Sequence, residues 1–330
     1  MNEKWLKEDG RKEWVRKMNQ GYHEIKEHGK REFPFNIYPC SIPVDFTHVA
    51  LHWHEEMEII AVKKGNGRIT VDTVSYPVSE GDILAVFPGQ LHAISCGSGE
   101  RMEYENIIFR ISMLMGDNGD GCTVHFLSPL QEGQAKKPVL IQKGQPDYEV
   151  FGNVIRELDK FSQQRGNGYQ LAVKGQLFLF LYYAYGRGIL FAEKKPGHAR
   201  EKIKGILDYI REHFGEEITI KQAAELCFYS ESHFMKYFKQ YAGMPFIQYL
   251  NDYRLTMAGE LLKMTEESVT QIALKCGFEN LSYFNRLFRR KFGVTPGQYR
   301  GEKEQSGSWE QPERQESVRF CCRGIRNVLH

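Results

Sequence analysis

The chain has no CxxC pair, no long apolar run and almost no excess of charge, and each shortfall closes off a class of function. Its seven cysteines, Cys40, Cys96, Cys122, Cys227, Cys276, Cys321 and Cys322, are odd in number. Without metal-ligand spacing they read as reduced thiols, not as a disulfide framework or a zinc site. The longest apolar run, residues 177–185, covers nine residues, whereas a membrane span needs about 20. Residues 1–30 mix acids and bases with no apolar core, so no secretory signal is expected. Neither a nucleophile triad, a P-loop nor a dinucleotide loop is recognisable. The net charge over 330 residues is only +2, so any affinity for nucleic acid has to come from a local patch. The expectation is a cytoplasmic, membrane-free protein with two full-sized domains.

Along the chain the hydrophobic period changes twice. Residues 1–32 are polar and charged, with Trp5, Leu6, Trp14, Val15 and Met18 at helical spacing, and read as an N-terminal arm. From residue 33 to about 111 short strands alternate with turns. Strands are expected at 56–62, 68–72, 75–78, 82–87 and 101–111, with turns at Gly65-Asn66-Gly67, Glu80-Gly81 and Pro88-Gly89. Evenly spaced short strands of this kind imply a small antiparallel barrel. After a glycine-rich stretch at 116–144, Phe151, Val154, Ile155, Leu158 and Phe161 line one helix, and a second covers 170–185. Together 33–186 form the first domain and 187–198 the linker; 199–300 read as all helix, and 301–330 as a disordered tail. The fold class is α+β: an antiparallel barrel with a helical pair, then an all-α domain.

The helical part contains a repeat. Ala223 recurs as Ala273, Phe228 as Phe278, Ser232 as Ser282, Phe234 as Phe284, Phe238 as Phe288 and Gly243 as Gly293, at an offset of 50 residues. Each copy reads as a helix, a tight turn and a second helix. Thr219 suits the first N-cap, and Ser230 and Asn280 suit the N-caps of the two second helices. On the earlier of these, Phe234, Tyr237, Phe238 and Tyr241 point inward, while Ser232, Met235, Lys236 and Lys239 share the outer face. On the later one, Ser282, Asn285, Arg286 and Arg289 make the matching face. Arg289, Arg290 and Lys291 form a basic run suited to phosphates. In a major groove, Ser232 reaches a base edge or phosphate, Met235 packs on a thymine methyl, and Lys236 and Lys239 bind phosphate or guanine. Arg286 is the better guanine reader, because its planar fork takes two acceptors at once. Residues 246–264 join the units as one helix, about 28 Å long at 1.5 Å per residue, against about 34 Å for a turn of DNA. Double-stranded DNA is therefore the expected partner.

This stretch resembles the AraC/XylS family of bacterial transcriptional regulators. The carrying residues are Ile220-Lys221-Gln222-Ala223-Ala224, Ser232-His233-Phe234, Tyr253-Arg254-Leu255, Cys276-Gly277-Phe278, Ser282-Tyr283-Phe284-Asn285-Arg286 and Thr295-Pro296 with Tyr299-Arg300. The resemblance implies one chain carrying two DNA readers, behind a domain that senses a small molecule or holds a homodimer. RNA polymerase is then a further partner. The family often carries a bulkier hydrogen-bonding residue where Met235 stands, which implies a less discriminating first reader.

In the first domain, His52, His54 and Glu58 follow H-x-H-x3-E with Gly65 seven residues on. This resembles the first motif of the cupin barrels. Gly81, Pro88 and His92 resemble the second motif with one residue too many and Pro88-Gly89 in place of Pro-x-Gly. Three histidines and a glutamate can hold Mn, Fe, Ni or Zn. Equally, such histidines bond polar neighbours or a sugar hydroxyl. Our reading makes His52, His54, Glu58 and His92 an effector site, with no metal and no cofactor; carbohydrate is the effector class that the family suggests. The leading function is thus a ligand-responsive transcription regulator and not an enzyme; an activator is expected, while the sequence itself leaves activator and repressor both open. The alternative is a cupin-type metalloenzyme with an accessory helical domain; an architectural DNA-binding protein is a third.

Overall fold

The computed structural model describes residues 32–45, 47–117, 119–189 and 198–305. Within them lie two compact units, 32–200 and 201–305. The expected N-terminal arm, most of the expected linker and the tail beyond residue 305 lie outside the described residues.

The first unit is an antiparallel two-sheet structure of eight strands: β1 (Phe35–Ile42), β2 (Val49–His52), β3 (Met57–Val71), β4 (Val74–Ser79), β5 (Ile83–Val86), β6 (His92–Ser95), β7 (Met102–Phe109) and β8 (Val139–Ile141). One path runs β1-β7-β3-β5-β8, while β4 and β6 pair with β3 and β2 pairs with β6. Strand β3 serves both groups: residues 57–65 pair with β7, residues 66–71 with β4 and residues 68–71 with β6. Side-chain alternation then splits the apolar residues into two cores. Ile60, Val62, Leu84, Val86, Tyr104 and Ile108 face Ile69, Val71, Val78 and Ile94 between the sheets. Met57, Ile59, Ala61, Ala85, Ile107 and Phe109 face away, onto the helices α2 (Tyr148–Gln164) and α3 (Tyr169–Gly186). A sheet covered on both faces explains the unbroken apolar runs in β3 and β5. Each fully buried aliphatic side chain is worth roughly 1.5–3 kcal/mol.

Four expectations need correction here. The strands do not close into a barrel, since β1 and β8 remain the ends of the main path. Strand spacing is the same in a barrel and in an open pair of sheets. Nor is there a turn at Gly65-Asn66-Gly67, because β3 runs straight through it. The ladder to β7 slips between Val62 and Lys64, and Gly65 has φ +79°. A Cβ on Gly65 would lie 1.9 Å from the Arg101 carbonyl oxygen. The glycine makes a bulge that turns the strand from one sheet into the other. The stretch expected to be irregular contains a helical turn at Thr123–Leu127, then α1 (Ser128–Gln131) and β8. Arg187, taken as the start of the linker, donates to Asp147, Gln145 Oε1 and the Leu140 carbonyl, and so anchors the end of α3.

The second unit is helical: α4 (His198–His213), α5 (Ile220–Leu226), α6 (Glu231–Ala242), α7 (Phe246–Met264), α8 (Val269–Lys275), α9 (Leu281–Phe292) and α10 (Pro296–Gln305). Residues 301–305, assigned to the tail from sequence, thus belong to α10. Helix α7 touches α6, α8, α9 and α10. The repeat holds, with a refinement. The N-caps Thr219 and Ser268 are 49 residues apart, as are the bonds Tyr229 N to Ala224 O and Phe278 N to Ala273 O. The caps Ser230 and Asn280, and the closing Gly243 and Gly293, are 50 apart. The second unit therefore has one extra turn residue. Phe228 is the counterpart of Gly277, not of Phe278. It sits at φ +56°, 89% exposed, where the second copy has glycine at φ +76°.

The five described cysteines are free thiols, and burial pushes that of Cys276 up to about 12. The turn geometry makes a prediction. Gly277→Ala should destabilise the full chain by about 2–3 kcal/mol, since its Cβ would lie 2.7 Å from the Phe214 carbonyl oxygen. Phe228→Gly should stabilise it by about 0.5–1 kcal/mol. Urea unfolding checks both, and equal effects would contradict the assigned register.

Candidate nucleic-acid interface and histidine cluster

The two reading units start with the same capping chemistry. The Thr219 hydroxyl accepts from Gln222 N at 3.1 Å while Thr219 N donates to Gln222 Oε1 at 2.8 Å. Ser268 and Gln271 do likewise at 3.2 and 3.0 Å. These capping boxes satisfy the otherwise unpaired N–H groups of α5 and α8. Helix α6 is capped by Ser230, which accepts from His233 N at 3.4 Å, and α9 by Asn280, which accepts from Tyr283 N at 2.9 Å. Over their first ten residues α6 and α9 have identical burial patterns. Phe234, Tyr237 and Phe238 face inward on one, and Phe284, Leu287 and Phe288 on the other.

Every residue assigned to DNA reading is exposed: Ser232, Met235, Lys236 and Lys239 on α6, and Ser282, Asn285, Arg286, Arg289 and Arg290 on α9. Asn285, Arg286, Arg289 and Arg290 line one concave surface with Thr295. Two sequence-level points change. Lys291 is not part of the free basic run, because its Nζ lies 2.8 Å from Asp252 Oδ2 and 2.7 Å from Thr256 Oγ1, pinning α9 to α7. Tyr283, which the sequence reading passed over, supports the reading face. Its hydroxyl accepts from Asn251 Nδ2 at 3.2 Å, and the Arg286 guanidinium lies 5.4 Å from its ring centre. Its place three residues before Arg286 on α9 is local, but only the fold brings it to Asn251.

In the first unit, His52 ends β2 and pairs across to His92 on β6. His54 lies beyond the strand, and Glu58 sits on the inter-sheet face of β3. The ligating atoms of all four side chains lie within 4.8 Å of one another. His54 Nε2 and His92 Nε2 are each 2.9 Å from Glu58 Oε2. His54, Glu58 and His92 are buried. Burial, with His92 and His54 alongside, lowers the His52 pKa to about 3. Burial alone would raise that of Glu58, but the His92 and His54 imidazoles hold it well below the usual carboxylate range. Sequence reading missed Glu56. Its buried carboxylate accepts from Arg110 Nε at 2.8 Å, and its carbonyl oxygen accepts from His54 Nδ1 at 3.0 Å.

Two family descriptions match this chain. Residues 223–302 match a helix-turn-helix domain, and residues 44–181 match the AraC-like ligand binding domain. The chain belongs to the AraC family. It is similar to the HTH-type transcriptional regulator YdeC of Bacillus subtilis (strain 168), 25% identical over 86% of this chain and 97% of that one. It is also 25% identical to the HTH-type transcriptional activator RhaS of Enterobacter sp. (strain 638), over 83% of this chain and 96% of that one. Among solved structures it is similar to ToxT from Vibrio cholerae O395, 18% identical over 82% of this chain and 98% of that one, with a TM-score of 0.40. This AraC-type chain is thus a DNA-binding transcription regulator with a ligand-binding domain, and its family is one of regulators rather than enzymes. No described helix is long and apolar enough to cross a membrane.

The role of Lys291 is open to test. Lys291→Gln should cost about 1 kcal/mol of stability by urea unfolding, with the salt dependence of DNA binding unchanged. A flatter salt slope would return Lys291 to the phosphate-binding set.

Proposed function

We propose that the regulator reads two successive major grooves of one duplex, with α6 in the first and α9 in the second. The observation that carries this reading is the pair of helices with matched caps, matched burial and exposed polar faces on one joining helix. On α6, Ser232, Lys236 and Lys239 contact phosphates and base edges, and Met235, 43% exposed, packs on a thymine methyl. On α9, Asn285 and Arg286 read bases, while Ser282, Arg289 and Arg290 hold the backbone. Arg286→Ala should cost about 1–3 kcal/mol at one operator position only. Arg290→Ala should weaken all sequences alike and reduce the salt slope by about 1. Selecting bound fragments from genomic DNA with the full chain, then titrating them at several salt concentrations, checks both. Loss of base preference in Arg290→Ala with an unmoved slope would reverse the two roles.

In this reading the chain acts in the cytoplasm as an activator that contacts RNA polymerase, and it works as a homodimer. Helix α3 supports the dimer. Its inner face is buried, yet Leu171, Phe178, Leu179 and Tyr182 are exposed along one side at spacings of seven, eight and eleven residues. An apolar stripe of that period suits a second copy of the same helix. Leu171→Asp combined with Phe178→Asp should convert the dimer to a monomer in sedimentation equilibrium, with the fold intact by circular dichroism. A wild type that is monomeric at micromolar concentration would remove the dimer from the account.

The first unit then binds a small-molecule effector at His52, His54, Glu58 and His92, with carbohydrate as the class that the family suggests. Whatever binds changes transcription only through unequal affinity for two states of the protein. Thermal shifts against a panel of sugars test the effector class.

A further inference from the structure

We infer that the third residue of each reading helix, His233 in α6 and Tyr283 in α9, is a further DNA contact: a neutral ring donor to a backbone phosphate, steadied from the helix that precedes its unit. This assignment rests on the groove reading above and adds the side chains that settle each reader against the backbone.

Position comes first. Three residues after each ring stands the candidate base reader, Lys236 or Arg286, and seven after it stands Gln240 or Arg290. Positions i, i+3 and i+7 share one stripe of a helix, so each ring opens a stripe along the flank of its reading face. All six of these side chains are exposed. No acid lies on either stripe: α9 has none, and Glu231 of α6 is on the far side of that helix. When a helix enters the major groove, its first turn meets the bases and its flanks meet the phosphates that border them.

The chemistry of the rings suits that place. The Tyr283 hydroxyl oxygen accepts from Asn251 Nδ2 at 3.2 Å. A phenol also has one hydrogen to give. No acceptor among the described residues takes it, so it is left for a partner that only accepts, as an ionised phosphate oxygen does. The ring is held from two directions, by Asn251 of α7 and by the Arg286 guanidinium 5.4 Å from its centre. Little side-chain freedom then remains to be lost on binding. In the first unit the His233 ring centre lies 4.1 Å from that of Tyr229, and Lys202 Nζ, from α4, lies 4.1 Å from the same Tyr229 ring. A neutral imidazole always carries one N–H, and no described residue accepts from that of His233. Two residue types that share little but a ring and a single donor thus occupy the same place, 50 residues apart, and each is braced from the preceding helix. A merely solvated flank needs neither the ring nor the brace.

The test uses the full chain, the genomic fragment it selects and an unrelated duplex of equal length. Tyr283→Phe keeps the ring and removes only the donor. It should weaken binding to both duplexes by the same factor, about three- to tenfold. The salt slope should not move, because a neutral donor releases no counterion. That separates it from Arg290→Ala, which reduces the slope, and from Arg286→Ala, which acts at one operator position. His233→Phe should cause a uniform loss of the same size. Replacing phosphates one at a time by methylphosphonates locates the contact: at one position beside the pair read by Arg286, the replacement should weaken wild type and leave Tyr283→Phe unaffected. Asn251→Ala should act only through Tyr283, so the double variant loses no more than Tyr283→Phe alone. Wild-type affinity in either ring variant, with both arginine variants behaving as stated, overturns this inference and leaves the groove reading intact. No effect of either arginine variant overturns the groove reading and the ring contacts with it. A changed base preference or unfolding midpoint in Tyr283→Phe, or additive losses in the double variant, makes the ring internal packing and overturns the contact.

Discussion

Arg254, in the middle of α7, donates through Nε to the Phe214 carbonyl at 2.8 Å and through Nη2 to the Glu216 carbonyl at 2.6 Å. These carbonyls belong to the chain just after α4, and the guanidinium also crowds Gly277, in the turn of the second reading unit. One buried cation therefore joins the leading helix, the connecting helix and the second helix-turn-helix. A charge taken out of water needs such partners, and losing either side would leave buried polar groups unpaired. Close backbone contact reinforces the joint: a Cβ on Gly215 would lie 2.6 Å from the Lys275 carbonyl oxygen. The relation between the two reading helices depends on this junction and on the Lys291 contacts to Asp252 and Thr256, because α7 alone fixes only their separation.

The first unit solves a different problem with the same economy. Its histidines come from different strands and a loop, and they meet because β3 passes from one sheet into the other. Met57–Val62 carries Glu58 in the first sheet; beyond the Gly65 bulge, Val71 pairs with His92 in the second. The bend thus brings a carboxylate from one layer against imidazoles from the other. Apolar side chains on both faces of the main sheet keep that arrangement dry, and this burial lowers the His52 pKa.

Much of the helical domain was legible because its signals are local. Caps, the inward aromatic row and the exposed basic face follow from the 3.6-residue period and from side chains that bond to their own backbone. The same local logic erred where it met an insertion. Matching Phe228 to Phe278 by letter hid the extra turn residue, since a glycine and a phenylalanine in the same left-handed position look nothing alike in sequence. Gly65-Asn66-Gly67 looks like a hairpin, but glycine serves a bulge as well as a turn. Lys291 looked like its neighbours Arg289 and Arg290, yet helical rotation aims it at α7.

Residue order alone determined the helical repeat, the exposed polar faces of its second helices and the grouping of His52, His54, Glu58 and His92 as one candidate site. These rest on short-range periodicity and on spacing, which tertiary contacts seldom override. Tertiary structure alone decided that the sheets stay open, that Tyr283 meets Asn251, that Lys291 is a pin, and that every imidazole in the cluster turns its Nδ1 to a carbonyl. Each of these depends on groups distant in sequence, or on backbone direction within a turn. No periodicity encodes which way a ring nitrogen faces until the carbonyl beside it has been placed by the fold.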